Sequence, residues 1–240
     1  MNIAPKEFLS KAEQIFLRPK RQYSWPEIVT GAPVQDQSGS VRSIPAVGQN
    51  TFRGFHKLDK GGPGSKETFV GYFLANQNRL LKDLSKVDTA ESLHRLSNRI
   101  CSELTEALSN ISPAQLRGYN KVRKPVDLYL EHLVSMAREL EAHRSTLVPL
   151  LSLPLDSWIL DHTAIFSEEQ LRGLGLARGL SFGDIKTEKT YCALQATAIA
   201  NAQKVGLQLR ADFHPIYYDL FWNNRFRNWG FNLFETNPSH

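Results

Sequence analysis

Five apolar residues, Val126, Leu130, Leu133, Ala137 and Leu140, recur at steps of four, three, four and three. That stepping follows one face of an α-helix; the faces of a strand alternate every second residue. Pro125 fits the first turn of such a helix, where its missing N–H is harmless, so the spacing predicts a helix from Pro125 to about Arg144. Similar stepping extends along the chain. Residues 4–17 place Phe8, Ala12, Ile15 and Phe16 on one side, and 67–85 place Phe69, Phe73, Leu80 and Leu81 inward. Asp88 and Glu91 read as a capping box opening a helix to about Leu108, and Ser167 with Gln170 as another. Residues 184–205 form an alanine-rich helix in which Cys192 reads as a small buried hydrophobe and Gly206 as the stop. The fold expected is mainly α, a single multi-helix domain.

Two stretches depart from this pattern. Ten of the 27 Gly and Pro residues fall within 31–64, so residues 1–66 read as a helix followed by an irregular, basic, mobile arm, with the helical core domain over 67–240. Within the arm, Ser40–Ile44 is a candidate strand. At the other end, residues 213–234 hold 9 of the chain's 24 aromatic residues. So much ring surface favours burial, at roughly 1.5–3 kcal/mol per ring. The alternative is a stacking surface for nucleotide bases, with Arg225 and Arg227 interleaved among Phe226 and Trp229.

Charge narrows the functional classes. The net charge is +5 with pI near 9.2, distributed as +5 over 1–66, +3 over 67–125, −6 over 126–170 and +3 over 171–240. A basic chain suits a polyanion, and nucleic acid is the partner expected. Arg117, Lys121, Arg123 and Lys124 form the densest basic cluster and are, with Arg225 and Arg227, the candidate phosphate contacts. The acidic block 126–170 offers the alternative of a helical interaction protein without catalysis. No apolar run reaches the 18 residues of a membrane span, so no membrane partner is expected. With two cysteines and no secretory leader pattern, a reducing cytoplasmic setting is expected.

Two constellations carry candidate chemistry. Asp184-Ile-Lys186 with Asp161 upstream resembles the PD-(D/E)xK nucleases. That resemblance implies an endonuclease of restriction or defence type, with Asp161 and Asp184 holding Mg²⁺ from adjacent strands and Lys186 preparing the attacking water. Arg138-Glu-Leu-Glu-Ala-His143 resembles the Arg-x4-His motif of the HEPN ribonucleases. It implies Arg138 and His143 as a metal-independent catalytic pair in a homodimer. In an unbroken helix, however, positions five apart lie about 140° round the axis, so the helix would have to end near Glu141. Glu139 and His143, one turn apart, also suit a surface ion pair or a shared metal. The function expected is phosphodiester hydrolysis on nucleic acid.

Overall fold

The computed structural model describes residues 4–35, 39–227 and 233, side chains excepted at 222–227. It is mainly helical. The α-helices are α1 (Pro5–Phe16), α2 (Trp25–Thr30), α3 (Ser65–Ala75), α4 (Gln77–Leu84), α5 (Ala90–Ala107), α6 (Tyr119–Met136), α7 (Arg144–Leu147), α8 (Ser157–Asp161), α9 (Glu168–Gly173) and α10 (Glu188–Leu209). One antiparallel hairpin, β1 (Ala32–Gln35) and β2 (Val41–Ile44), pairs Ala32 with Ile44 and Gln35 with Val41. Short 3-10 segments link the rest. No helix among the described residues is long and apolar enough to cross a membrane.

Helix α6 is the axis. Every side chain from Val122 to Met136 is buried, charged ones included. The helix begins six residues before Pro125, because tertiary contacts satisfy its first turn. The N–H groups of Tyr119 and Asn120 donate to the carbonyls of Lys186 and Ile185, both at 3.2 Å. Pro125 then removes one ladder bond from the interior without ending the helix. The apolar stepping continues past Met136, but the helix does not. Ala137 turns extended, and its neighbours bond to Tyr23: Tyr23 N donates to Met136 O at 3.0 Å and Arg138 N to Tyr23 O at 2.9 Å. The buried Arg144 side chain donates to the freed carbonyls of Val134 and Ala137 and so caps the end of α6.

Parts of the N-terminal 66 residues pack into the body. Phe8, Phe16, Trp25, Ile28, Val29 and Phe52 belong to the same buried core as α6. Trp25 is fully buried and donates its indole N–H to Phe73 O at 2.9 Å. Ser24 and Glu27 close a capping box that sets the start of α2. Gly and Pro enrichment here encodes tight turns between packed pieces. At Gly31, φ is +140° and a Cβ would meet the Ser43 hydroxyl of the opposite strand at 2.0 Å.

The aromatic stretch supplies core over the part described. Phe213, Tyr217, Tyr218 and Phe221 are buried, Phe8 stacks on Phe221 at 4.7 Å, and Phe16 stacks on Tyr217 at 5.6 Å. The side chains of Trp222, Arg225, Phe226, Arg227 and Trp229 lie outside the described residues, so the base-stacking alternative falls there. Gly206 does not stop α10. The helix runs to Leu209 and ends on Arg210 in the left-handed conformation, φ 53°. Gly206 instead admits the returning chain: a Cβ there would stand 2.8 Å from Ala211 O.

Candidate metal centre

Three helices each bring side chains one turn apart to a common junction. Helix α5 contributes His94 and Asn98, α6 contributes Tyr119, Arg123 and Asp127, and α10 contributes Glu188, Tyr191 and Cys192. Residues four apart on a helix lie on one face, so each helix presents a short polar ladder toward the other two. The ladder on α10 is set by its cap: the Thr187 hydroxyl accepts from Thr190 N and fixes the helix start one residue before Glu188.

The inner end is a buried ion pair. Arg123 Nε donates to Asp127 Oδ1 at 2.7 Å, with side chains 0% and 1% exposed. The Tyr191 hydroxyl donates to Asp127 Oδ2 at 2.6 Å, and the guanidinium lies over the Tyr191 ring at 4.7 Å. Burial pushes the Asp127 carboxyl up, and the Arg123 charge and the Tyr191 bond pull against it. Burial is the largest influence on Arg123 and opposes its charge, but the Asp127 carboxylate together with Tyr191, Cys101 and Tyr119 holds the guanidinium above its ordinary range.

From that pair, contacts run outward. Arg123 donates to Asn98 Oδ1 at 2.8 Å, to the Tyr119 hydroxyl at 3.2 Å and to Ser152 Oγ at 3.3 Å. Tyr119 also donates to Asn98 Oδ1, at 2.6 Å. With its oxygen thus fixed inward, the Asn98 amide turns its NH₂ outward, to Glu188 Oε1 at 2.7 Å. His94 Nε2 lies 2.7 Å from the same Glu188 oxygen. His94 Nε2 also lies 3.2 Å from the Asn98 NH₂, and Nδ1 lies 3.4 Å from the Arg123 guanidinium, both donors, whereas the 2.7 Å Glu188 oxygen is an acceptor and favours a proton on Nε2. The His94 and Asn98 bonds hold the Glu188 carboxyl below its ordinary range.

Cys192 completes the mouth. Its Sγ is 3.9 Å from His94 Nε2, and the donor atoms of His94, Glu188 and Cys192 all lie within 4.8 Å of one another. Burial, and then the neighbouring Glu188 carboxylate, push the Cys192 thiol up. A thiol that resists ionisation is a poor nucleophile. A divalent cation would relieve both the thiolate and the carboxylate. Imidazole, carboxylate and thiol together suit zinc and its neighbours rather than Mg²⁺. A tetrahedral zinc site places its donors about 3.3–3.6 Å apart. The required shifts are therefore of the order of an ångström, on side chains of which Glu188 and Cys192 are exposed.

The residues singled out from sequence take other places. Asp161 ends α8, and its carboxylate accepts from Gly179 N at 2.8 Å. Asp184 lies in the 3-10 turn Phe182–Asp184 and accepts from Ser181 N and Oγ at 2.8 and 2.9 Å, which hold it below its ordinary range. Lys186 donates to Gly183 O at 2.6 Å. Asp184 closes a local turn and Asp161 ties the end of α8 to the chain at Gly179, and neither stands on the adjacent strands that the PD-(D/E)xK resemblance implies for holding Mg²⁺. Arg138 pairs with Glu27 at 3.1 Å. The segment Arg138–His143 is 3-10, in which positions five apart diverge by about 120°. Glu139 accepts from Trp25 N at 2.9 Å. Arg117 is exposed, Lys121 half-buried, and Lys124 buried beside Asp156 at 3.5 Å. Arg123 does not reach solvent. Within the acidic block, Asp127 and Glu131 on α6 and Asp156 before α8 are buried, whereas Glu139, Glu141, Asp161, Glu168 and Glu169 are exposed.

Sequence reasoning missed His94, Glu188 and the exposure of Cys192. Glu188 and Cys192 at four-residue spacing were a legible signal; His94, 94 positions before Glu188, was not. Comparisons with protein-family models, with curated proteins and with solved structures find no match for this chain.

Proposed function

We propose that this chain is a metal-dependent hydrolytic protein acting on phosphodiesters of nucleic acid, with His94, Glu188 and Cys192 as ligands of one zinc-class ion. The observation that carries the reading is the meeting of an imidazole nitrogen, a carboxylate and a thiol within 4.8 Å on two rigid helices, at a solvent-facing mouth. Three protein ligands leave a fourth position for water, the pattern of catalytic zinc sites. Such an ion, held by these three residues, would supply Lewis acidity and an activated water. The chain's own residues hold the ligands in register. Asp127 neutralises Arg123, Arg123 and Tyr119 fix the Asn98 oxygen, and the Asn98 NH₂ orients Glu188, the outer-contact arrangement that tunes metal sites. His94 Nε2 and Glu188 would hold the ion only once the proton between them is released. The Nδ1 proton that this requires meets Arg123 only across its longest contact, 3.4 Å. Phosphodiesters are the substrate class favoured by the net charge of +5.

Equilibrium dialysis against zinc tests the site. One ion per chain is expected, with binding lost in His94→Ala and in Cys192→Ser. Stoichiometry unchanged by either substitution would remove the assignment.

A further inference from the structure

A second cluster lies on the other side of α6, where Lys121 projects nearly opposite Tyr119 and Arg123. Its ammonium sits over the Phe55 ring at 4.5 Å and the Phe182 ring at 5.0 Å. Lys124 lies over Phe182 at 4.8 Å, and Lys186 reaches the same turn through its bond to Gly183 O. The approach of residues 53–55 is enforced by Gly54, which has φ +84° and on which a Cβ would stand 3.1 Å from Lys121 Nζ. Positive groups 65 positions apart in sequence thus converge, because Tyr119 and Asn120 donate to Lys186 and Ile185 and dock the 182–186 turn on the start of α6.

The charges there are unequally answered. Lys124 has Asp156 at 3.5 Å, and Lys186 has Asp184 Oδ1 at 4.0 Å, while the other oxygen of that carboxylate accepts from Ser181 N and Oγ. Lys121 is half-buried and has no carboxylate within ion-pair distance among the described residues. Burial and the like charge of Lys186 both push its pKa down. An unanswered ammonium over two aromatic rings, with the exposed ammonium of Lys186 beside it, is complementary to an anion with several acceptor oxygens.

We propose that Lys121, over Phe55 and Phe182, forms a phosphate-binding site together with Lys186 of the adjoining 182–186 turn. This deepens the nucleic-acid reading above, and it is independent of the metal ligands. The phosphate of a nucleic-acid backbone and free phosphate share the recognising chemistry, and the experiment separates them.

Lys121→Gln and Lys186→Gln, singly and together, are titrated with a fluorescent single-stranded oligonucleotide across a salt series, and separately with inorganic phosphate. Lys186 is 66% exposed at its side chain, so its replacement leaves the fold intact, and thermal melts confirm this for Lys121. The double variant is expected to bind the oligonucleotide at least tenfold more weakly, with the slope of log K against log salt reduced by about 1.4, two lysines at about 0.7 each for a single strand. If the wild-type chain binds inorganic phosphate and not the oligonucleotide, and the variants lose it, the site stands with free phosphate as ligand, and the nucleic-acid reading falls. Equal oligonucleotide binding by wild type and double variant overturns the site and leaves that reading in place. Binding of neither probe overturns both.

Discussion

Replacing Asp127 with Asn removes the negative member of the buried pair on which the junction of α5, α6 and α10 rests. The Arg123 guanidinium would remain at 0% exposure, facing an amide. Breaking such a pair from one side costs about 3–5 kcal/mol, because the remaining charge is buried without compensation. Arg123 keeps its bonds to Asn98, Tyr119 and Ser152, which places the expected loss near the lower end, about 3 kcal/mol. For a chain of this length that lowers Tm by roughly 6–12 °C. Arg123→Met should cost about as much, since it strands the Asp127 carboxylate on the Tyr191 hydroxyl alone. The double variant Arg123→Met/Asp127→Leu leaves no buried charge and should cost about 2 kcal/mol, far below the sum of the two single losses. Urea unfolding of the four proteins gives the cycle. Single losses under about 0.5 kcal/mol, or a double loss equal to their sum, would refute the claim that these charges are buried as a mutually dependent pair.

Other outcomes follow from local geometry. Glu103 accepts from Arg79 and from Tyr72, both bonds at 2.5–2.6 Å, and the Arg79 bond leads in pulling its pKa down to about 2. A carboxyl depressed below its ordinary 4.5 stabilises the fold fully above that value and loses the contribution as pH falls toward 2. Glu103→Gln should therefore be less stable than wild type at pH 7, by about 1 kcal/mol for so exposed a pair, and the gap should narrow by pH 3; a constant gap would contradict the assignment. Gly206→Ala places a methyl 2.8 Å from Ala211 O and should destabilise by about 1–3 kcal/mol in urea unfolding, although alanine is the better helix former; a stabilised variant would show that the 211–213 return gives way.

The architecture was legible wherever a helix buries one face and shows the other to water. Phe8, Ala12, Ile15 and Phe16 point inward on α1 as their spacing implies, and the Ser167–Gln170 box opens α9. Legibility failed where partners distant in sequence decide. The start of α6 depends on carbonyls 67 and 65 positions from the Tyr119 and Asn120 N–H groups they accept from, and its end at Met136 on Tyr23. The helix at 88–108 is capped by Thr89 with Ser92, one position from the expected Asp88–Glu91 box; two overlapping cap patterns cannot be ranked by residue type alone. The candidate site shows the same limit. Charge identity made Arg123 look like a surface cation, whereas its partner Asp127, one turn on, marks it as half of a buried pair. Cys192, expected to be buried among alanines, faces outward because the buried stripe of α10 runs through Tyr191, Leu194, Ala198 and Ala202. Lys121 and Lys186 were both legible as cations, but their convergence was not.

The central claim is that His94, Glu188 and Cys192 coordinate one ion together, and cobalt(II) substitution tests it most directly, because a thiolate ligand announces itself by a sulfur-to-cobalt charge-transfer band. The account predicts one cobalt per chain with tetrahedral visible absorption and that band, the band vanishing in Cys192→Ser and the tetrahedral absorption collapsing in His94→Ala. Cobalt that binds without the band, or a spectrum unaltered by either substitution, would contradict it.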